Sequence, residues 1–432
     1  MDMYENELKR LEETVMASVS PYHCILESEA QLEKAGFQAL ELGEEWKLEP
    51  GKEYYVPVFD SSLMAFSIGK ELGDRPSLRM SAAHTDWPCL KVKPSPEVTT
   101  SGYAKLNVEI YGGPIYSTWL DRPLSMAGKI CVKGENCFSP KTVFVDMKRP
   151  VVVIPNLAIH MNREVNDGVK LNAQVDMLPI LAMVTEELDR DHYFLNCLAK
   201  EAGCQPEDIL DYEIYLYNLD GCCCTGLNGE WFSGPRLDNI TSVQACLTAV
   251  IEGKRENGIN VIALYDNEEI GSRTKQGALS TVTERILEKL YLSLGYEREV
   301  FLSSLLDGFL LSLDVAHAMH PNHTEKCDIK NQILTGEGVA IKMAASQSYA
   351  TDAAAVSVIE GICREHQIPY RKFSNRSDMR GGSTLGALSS SLLSMKTVDA
   401  GVPMLAMHSA RELMGSKDQA ALVALATKFF LV

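Results

Sequence analysis

A short apolar run with strand character, Asn260-Val-Ile-Ala-Leu-Tyr265, leads into an adjacent carboxylate pair, Glu268-Glu269, and then into Gly271 and a polar turn. The pair therefore stands where a buried strand ends. Open α/β sheets place their ligands outside the carboxyl ends of such strands. Two neighbouring acids are costly to desolvate there unless a positive charge holds them. The stretch thus asks for a covered sheet and for a cation, most simply a metal ion, whose other ligands the rest of the chain must supply.

At 432 residues the chain exceeds what one compact core usually holds, and two domains are expected. Apolar positions at helical spacing mark helices over 4–19 and 29–40, and strand-like runs follow at 54–59, 63–68 and 77–83. From about residue 92 to 230 strand signals dominate, at 107–111, 115–119, 126–132, 142–146, 151–154 and 213–217. Turns such as Gly112-Gly113-Pro114 separate them, and one helical stretch, 177–187, interrupts them. After Trp231, helices at 239–251, 281–294, 300–306, 352–366 and 417–430 alternate with strands at 261–265, 309–313, 339–343 and 402–406. Such alternation argues for a sheet with helices on both faces. The expected architecture is an α/β catalytic domain, a mixed sheet covered by helices, formed by residues 1–91 and 231–432. A β-rich domain over 92–230 is inserted into it.

Composition removes several function classes. A net charge of −17 argues against nucleic acid and against anionic membrane surfaces. No apolar run is long enough to cross a bilayer. The opening Met1-Asp-Met-Tyr-Glu-Asn-Glu-Leu8 is acidic and lacks the layout of a secretory signal, so a cytoplasmic location is expected. Twelve cysteines are too few for a disulfide scaffold at this length. The run Cys222-Cys223-Cys224 lacks the usual zinc spacing and is expected to hold reduced thiols.

Four features share one position, the end of an expected strand: His84-x-Asp86, Glu268-Glu269, Asp314 and His408. A fifth, Asp238 in Arg236-Leu-Asp-Asn239, opens an expected helix. Singly, each has a plain structural reading as a solvated acid, a helix cap or a packed imidazole. Five coincident element ends are harder to explain that way. Imidazole and carboxylate suit zinc, and two zincs that share a bridging aspartate need five residues. His84, Asp238, Glu269, Asp314 and His408 make five, and Glu268 and Asp86 are left over. A two-metal hydrolase still needs a carboxylate to take the water's proton. On an extended segment consecutive side chains point to opposite sides, which favours Glu268 as base and Glu269 as ligand. Asp86, two residues from His84, is placed to orient its imidazole. His317, His320 and His323 form a histidine-dense run, but Pro321 breaks any helix that would align them. Gly381-Gly-Ser-Thr-Leu-Gly386 either approaches a bound substrate through its backbone or makes a tight turn before a helix.

Taken together, these motifs resemble those of the aspartyl aminopeptidase family of co-catalytic zinc metallopeptidases. The matching segments are Ser81-Ala-Ala-His-Thr-Asp-Trp-Pro-Cys-Leu-Lys-Val-Lys-Pro94, Leu157-Ala-Ile-His-Met-Asn-Arg163, Arg236-Leu-Asp-Asn239 and Asp266-Asn-Glu-Glu-Ile-Gly-Ser272. Further on are Asp314-Val-Ala-His-Ala-Met-His-Pro-Asn322, Gly382-Ser-Thr-Leu-Gly386 and Met407-His-Ser-Ala-Arg-Glu412. They span nearly the whole chain in the family's order, and Ser377-Asp-Met-Arg-Gly-Gly-Ser-Thr384 looks like the bacterial form of its loop.

The resemblance implies that His84, Asp238 and Asp314 hold one Zn2+, and Asp238, Glu269 and His408 a second; Co2+ or Mn2+ are other divalent ions such sites take. It implies Glu268 as general base, Asp86 as the partner of His84, and a β-rich domain that dimerises. His160 resembles a histidine that reaches the partner subunit's active site. Lys342 resembles a lysine that lines the substrate pocket, and Gly382 and Ser383 border it. Family members form dimers built into a tetrahedral dodecamer that admits peptides. The expected function is removal of an amino-terminal residue, Asp or Glu favoured, from peptides with a free amino terminus. The alternatives are a broad or neutral-residue di-zinc aminopeptidase, a catalytically silent shell-forming assembly protein, and a two-metal deacylase or carboxypeptidase.

Overall fold

The computed structural model describes residues 3–379 and 381–432, so Arg380 of the Ser377–Thr384 segment lies outside the described residues. The chain divides into two compact units. The first comprises residues 1–86, 222–407 and 412–432; the second comprises 87–221 and the short return segment 408–411.

The first unit is mixed α/β. Its nine-stranded sheet runs Gln38–Ala39, Glu53–Val58, Ser62–Ile68, Ile259–Tyr265, Leu78–His84, Phe309–Leu313, Lys396–Gly401, Val339–Lys342 and Tyr370–Phe373 in spatial order. The four central strands are parallel, and the strands flanking them, Ser62–Ile68 and Val339–Lys342, run antiparallel to the central strand each adjoins. Ile259–Tyr265 is buried at every position, as a strand covered on both faces must be. Alternate residues of these strands, among them Met80, Ala82, Val261, Ala263 and Leu310, pack with Leu287, Leu290, Tyr291, Phe301 and Leu385 of three helices, Val282–Ser293, Arg298–Asp307 and Leu385–Leu393. Helix Leu237–Glu252 packs against Leu78–His84 and Ile259–Tyr265, and helices Met3–Ala17 and Asp418–Leu431 pack against it in turn. A smaller five-stranded sheet, Cys223–Thr225, Trp231–Gly234, Glu412–Gly415, Pro403–Leu405 and Ala316–His317, completes this unit.

The second unit is a six-stranded antiparallel sheet in the order Lys141–Asp146, Leu124–Val132, Ile209–Asn218, Cys89–Thr100, Tyr103–Tyr111 and Ile180–Met183, with helix Tyr193–Ala202. The return segment is stitched into it. Ile115 N–H donates to the His408 carbonyl (2.9 Å), Ala410 N–H to Thr118 Oγ1 (2.9 Å) and Asn218 Nδ2 to the Ala410 carbonyl (2.9 Å).

Local structure departs from expectation in several places. Residues 115–119 hold a 3-10 turn, Tyr116–Trp119, instead of a strand. Residues 177–187 hold the edge strand Ile180–Met183 instead of a helix. The second helix is Pro21–Lys34, with Ser20 as its cap, and not 29–40. The strand expected at 402–406 is Pro403–Leu405 of the smaller sheet, and the strand before it, Lys396–Gly401 of the main sheet, was not expected. None of the twelve cysteines is in a disulfide. No helix among the described residues is long and apolar enough to cross a membrane.

Candidate metal centre

Three parallel strands of the first unit end side by side. Tyr265 pairs with His84, the last residue of Leu78–His84, and Leu313 ends the next strand one residue before Asp314. This is the crevice at the carboxyl ends of the strands where open sheets place their ligands. His84 Nε2 stands 3.5 Å from Asp238 Oδ1 and 3.5 Å from Asp314 Oδ1. One nitrogen and two carboxylate oxygens thus lie within 4.8 Å of one another, on side chains that are all buried. His84, with the half-buried Glu268 and Glu269, forms a second group within the same distance. Imidazole nitrogen with carboxylate oxygen is a zinc donor set, and a buried cluster with more acids than cations is stable only with added positive charge. The residues fit a divalent cation on both counts.

Each side chain is held by its own element. The backbone of Arg236 is left-handed (φ 49), and its buried guanidinium donates to the Val15 carbonyl at 3.3 and 3.1 Å. That corner delivers Asp238, whose N–H donates to Glu412 Oε2 (3.0 Å). Asn239 donates to the Leu313 carbonyl (3.0 Å) and ties this corner to the strand before Asp314. Asp238 and Asn239 themselves are non-helical, so Asp238 acts from an irregular first turn and not as a regular cap.

The expectation of an extended backbone at the carboxylate pair is corrected. Glu268–Ile270 is a 3-10 turn entered through left-handed Asn267 (φ 65) and left through left-handed Gly271 (φ 97). In such a turn successive side chains diverge by about 120°. Asp86 fixes the turn. Its Oδ1 accepts from Glu268 N–H and its Oδ2 from Glu269 N–H, both at 3.1 Å. The carbonyl of the same residue lies 3.0 Å from His84 Nδ1, with its Oδ1 at 3.4 Å. A proton on Nδ1, donated to that carbonyl, leaves Nε2 as the donor atom facing Asp238 and Asp314.

The charges are strongly interdependent. Burial disfavours an imidazolium, but Asp238, Asp314 and Asp86 outweigh it and hold His84 well above its ordinary pKa. Burial pushes Glu268 up to about 8; His84 opposes this, and Asp314, Asp86 and Asp238 add to it. Burial also acts on Asp314, yet Lys342 and His84 prevail and leave it below the usual carboxylate range. Asp266 is pushed up to about 7 by burial and by Asp86.

The other expected site residues are carried by other segments. His408, in the second unit's return segment, has a left-handed backbone (φ 66), and its Nδ1 is 3.1 Å from the Gly113 carbonyl. His160 is exposed in the same unit. In the first unit, Lys342 is 1% exposed; its Nζ donates to the Val315 carbonyl (2.9 Å) and lies 3.4 Å from Asp314 Oδ2. Gly382 and Ser383 line a cavity of about 880 Å³ with Met343, Ser348, Asn375 and Met379. His317, His320 and His323 are all exposed, and His323 pairs with Glu325 at 3.6 Å. Glu412, Asp266 and Asp399 are buried acids that sequence reasoning missed. Nothing local marked Asp399, because Lys396-Thr-Val-Asp-Ala-Gly401 does not carry a strand pattern.

The family described as aminopeptidase I zinc metalloprotease (M18) matches residues 14–430. A probable M18 family aminopeptidase 2 of Clostridium acetobutylicum is 44% identical over 418 residues, 96% of each chain. A cryo-EM structure of the Ape4 and Nbr1 complex superposes with a TM-score of 0.94 at 33% identity, covering 99% of this chain and 86% of that one. The mApe1 dodecamer of S. cerevisiae shares the fold, with a TM-score of 0.84 at 24% identity, covering 100% of this chain and 97% of that one.

Proposed function

The chain belongs to the M18 family of zinc aminopeptidases, and from that premise we propose that it removes the amino-terminal residue of peptides at a two-zinc centre. One observation carries this reading: His84, Asp238 and Asp314 converge beside the Glu268–Glu269 turn at the carboxyl ends of the parallel strands. His84, Asp238 and Asp314 would hold one ion, and Asp238, Glu269 and His408 the other. The contact of His408 Nδ1 with the Gly113 carbonyl supports its role, since it leaves Nε2 for a metal. Two bound divalent ions supply an acidified water and a clamp on the reacting oxygens. Glu268 takes the proton of the attacking water and returns it to the departing amine as the peptide bond breaks. Asp86 aims both His84 and the turn that bears Glu268.

The substrate is a peptide with a free α-amino group. A preference for Asp or Glu rests on the Lys342 ammonium, whose next residue, Met343, lines the cavity with Gly382 and Ser383. The engagement of that ammonium by Asp314 favours a second reading, a broad or neutral-residue preference. A panel of amino-terminal reporters separates them, because a clear preference for Leu over Asp and Glu would sink the acidic assignment. Glu268→Gln should keep zinc and fold while turnover falls about 10²–10⁴-fold. A wild type that binds two zincs yet cleaves no peptide would point to a silent assembly protein. Cleavage of α-amino-blocked substrates would point to a deacylase or carboxypeptidase. Assembly is proposed to be dimeric, with dimers joined into a tetrahedral dodecamer, and His160 to act in the partner subunit's site. Mixed and reassembled His160→Ala and Glu268→Gln subunits should then recover activity, and no recovery despite proven subunit exchange would count against a shared site.

A further inference from the structure

A second, wholly buried set of charges stands on the sheet beside the metal centre. Ser312 pairs with Asp399, and Asp399 pairs with Lys342, across three neighbouring strands. Directly opposed residues on adjacent strands share a face. Lys342 is 1% exposed and Asp399 not at all. The same Lys342 Nζ lies 3.4 Å from Asp314 Oδ2. The ammonium therefore pairs with Asp314, a proposed zinc ligand, and its strand sets it directly opposite Asp399, an acid without a part in peptide hydrolysis.

Asp399 is itself firmly placed. Its Oδ2 accepts from Ala350 N–H at 2.6 Å. Its Oδ1 lies against Gly386 in the first turn of helix Leu385–Leu393, where a Cβ would come within 2.4 Å. A buried ammonium is tolerated only beside negative charge, which Asp314 supplies at 3.4 Å and Asp399 from the opposed strand position. Such a buried acid has a cost, and the hydrogen bond from Ala350 N–H offsets it at Oδ2 only.

We propose that Asp399 is a positioning residue for the metal centre: through Lys342 it fixes the Asp314 carboxylate, with Oδ2 held at the ammonium and Oδ1 turned toward His84 Nε2 and the ion. This rests on the reading of His84, Asp238 and Asp314 as ligands. Partners that orient a metal ligand typically govern affinity by about 10–100-fold.

The test is Zn2+ affinity of the full chain, measured by competition with a chromophoric chelator, on the wild type, Asp399→Asn, Lys342→Met and the double variant. Asp399→Asn should weaken one zinc by about 10–100-fold. In the Lys342→Met background, already weakened, it should add nothing, because residues acting through one another are non-additive. Wild-type affinity in Asp399→Asn or in Lys342→Met overturns the proposal, and so does an equal further loss in the double variant. If Asp399→Asn does not fold, the comparison of Lys342→Met with the double variant decides, since replacing a buried charged pair by neutral groups is commonly tolerated. His84→Ala separates the two levels. Wild-type zinc binding in that variant overturns the ligand set and the relay together. Loss there, with affinity intact in Asp399→Asn, overturns the relay alone.

Discussion

Asp86 does two things at once, and its side chain and backbone divide them. Its carboxylate accepts the N–H groups of Glu268 and Glu269, while its carbonyl faces His84 Nδ1. Asp86→Asn keeps the carbonyl but replaces one acceptor oxygen with an NH2 that faces a backbone donor. We expect kcat to fall about 10–100-fold with the fold intact, measured by steady-state kinetics at saturating zinc. An unchanged kcat would remove Asp86 from the machinery. The spacing His84-x-Asp86 was legible in the sequence, but the larger task of Asp86 was not. It depends on Tyr265 pairing in register with His84, a contact between residues far apart in the chain. Asp399 was illegible for a related reason: Asp and Gly are depleted in strands, so Lys396–Gly401 looks like a turn until its acid is seen opposite Lys342.

Elements with strong periodicity were the legible ones. Phe309–Leu313 and helices Val282–Ser293 and Ala353–Glu365 fall where apolar spacing places them. Ile180–Met183 does not, because an apolar run beside Pro179 takes its conformation from pairing with Tyr103–Lys105 at the sheet edge. Two helical glycines give opposite predictions. A Cβ at Gly386 meets Asp399 Oδ1 at 2.4 Å and Ser312 Oγ at 2.6 Å, whereas at Gly361 nothing lies within 4 Å. Gly386→Ala should lose about 1–3 kcal/mol and Gly361→Ala should gain about 0.4–1 kcal/mol, both measured by denaturant titration. Loss of stability in Gly361→Ala would contradict this. Asp418 opens the last helix and accepts from Gly336 and Gly338 N–H at 2.7 and 2.9 Å. Burial nonetheless pushes it up to about 7. Its folded pKa thus exceeds its unfolded value of about 4, so the folded state keeps a proton that the unfolded chain has released. Its contribution to stability is full below about pH 4 and is lost as pH rises through about 7. Asp418→Asn, which cannot ionise, should show a shallower decline over that window in pH-dependent denaturation; an unchanged slope would refute the assignment.

The whole molecule adds assembly and order of formation. The second unit exposes Leu157, Met161, Val175 and Met183, at 53, 73, 70 and 59%. Exposed apolar residues grouped in one segment mark an interaction surface. Met161→Glu with Val175→Glu should shift sedimentation toward smaller species, and an unchanged profile would place the proposed subunit contact elsewhere. The two-unit division itself has a consequence for the growing chain. The ribosome delivers Leu78–His84 before the second unit, yet both of its sheet neighbours, Ile259–Tyr265 and Phe309–Leu313, emerge only after that unit. Domains generally fold as units while synthesis proceeds, and unpaired strand edges invite aggregation. His84, the first of the proposed metal ligands, is therefore made early and kept waiting on a strand with both edges open. A chain stalled after Gly221 carries a nearly folded insert and an adhesive strand, a natural client for chaperones and a hazard for any truncated expression.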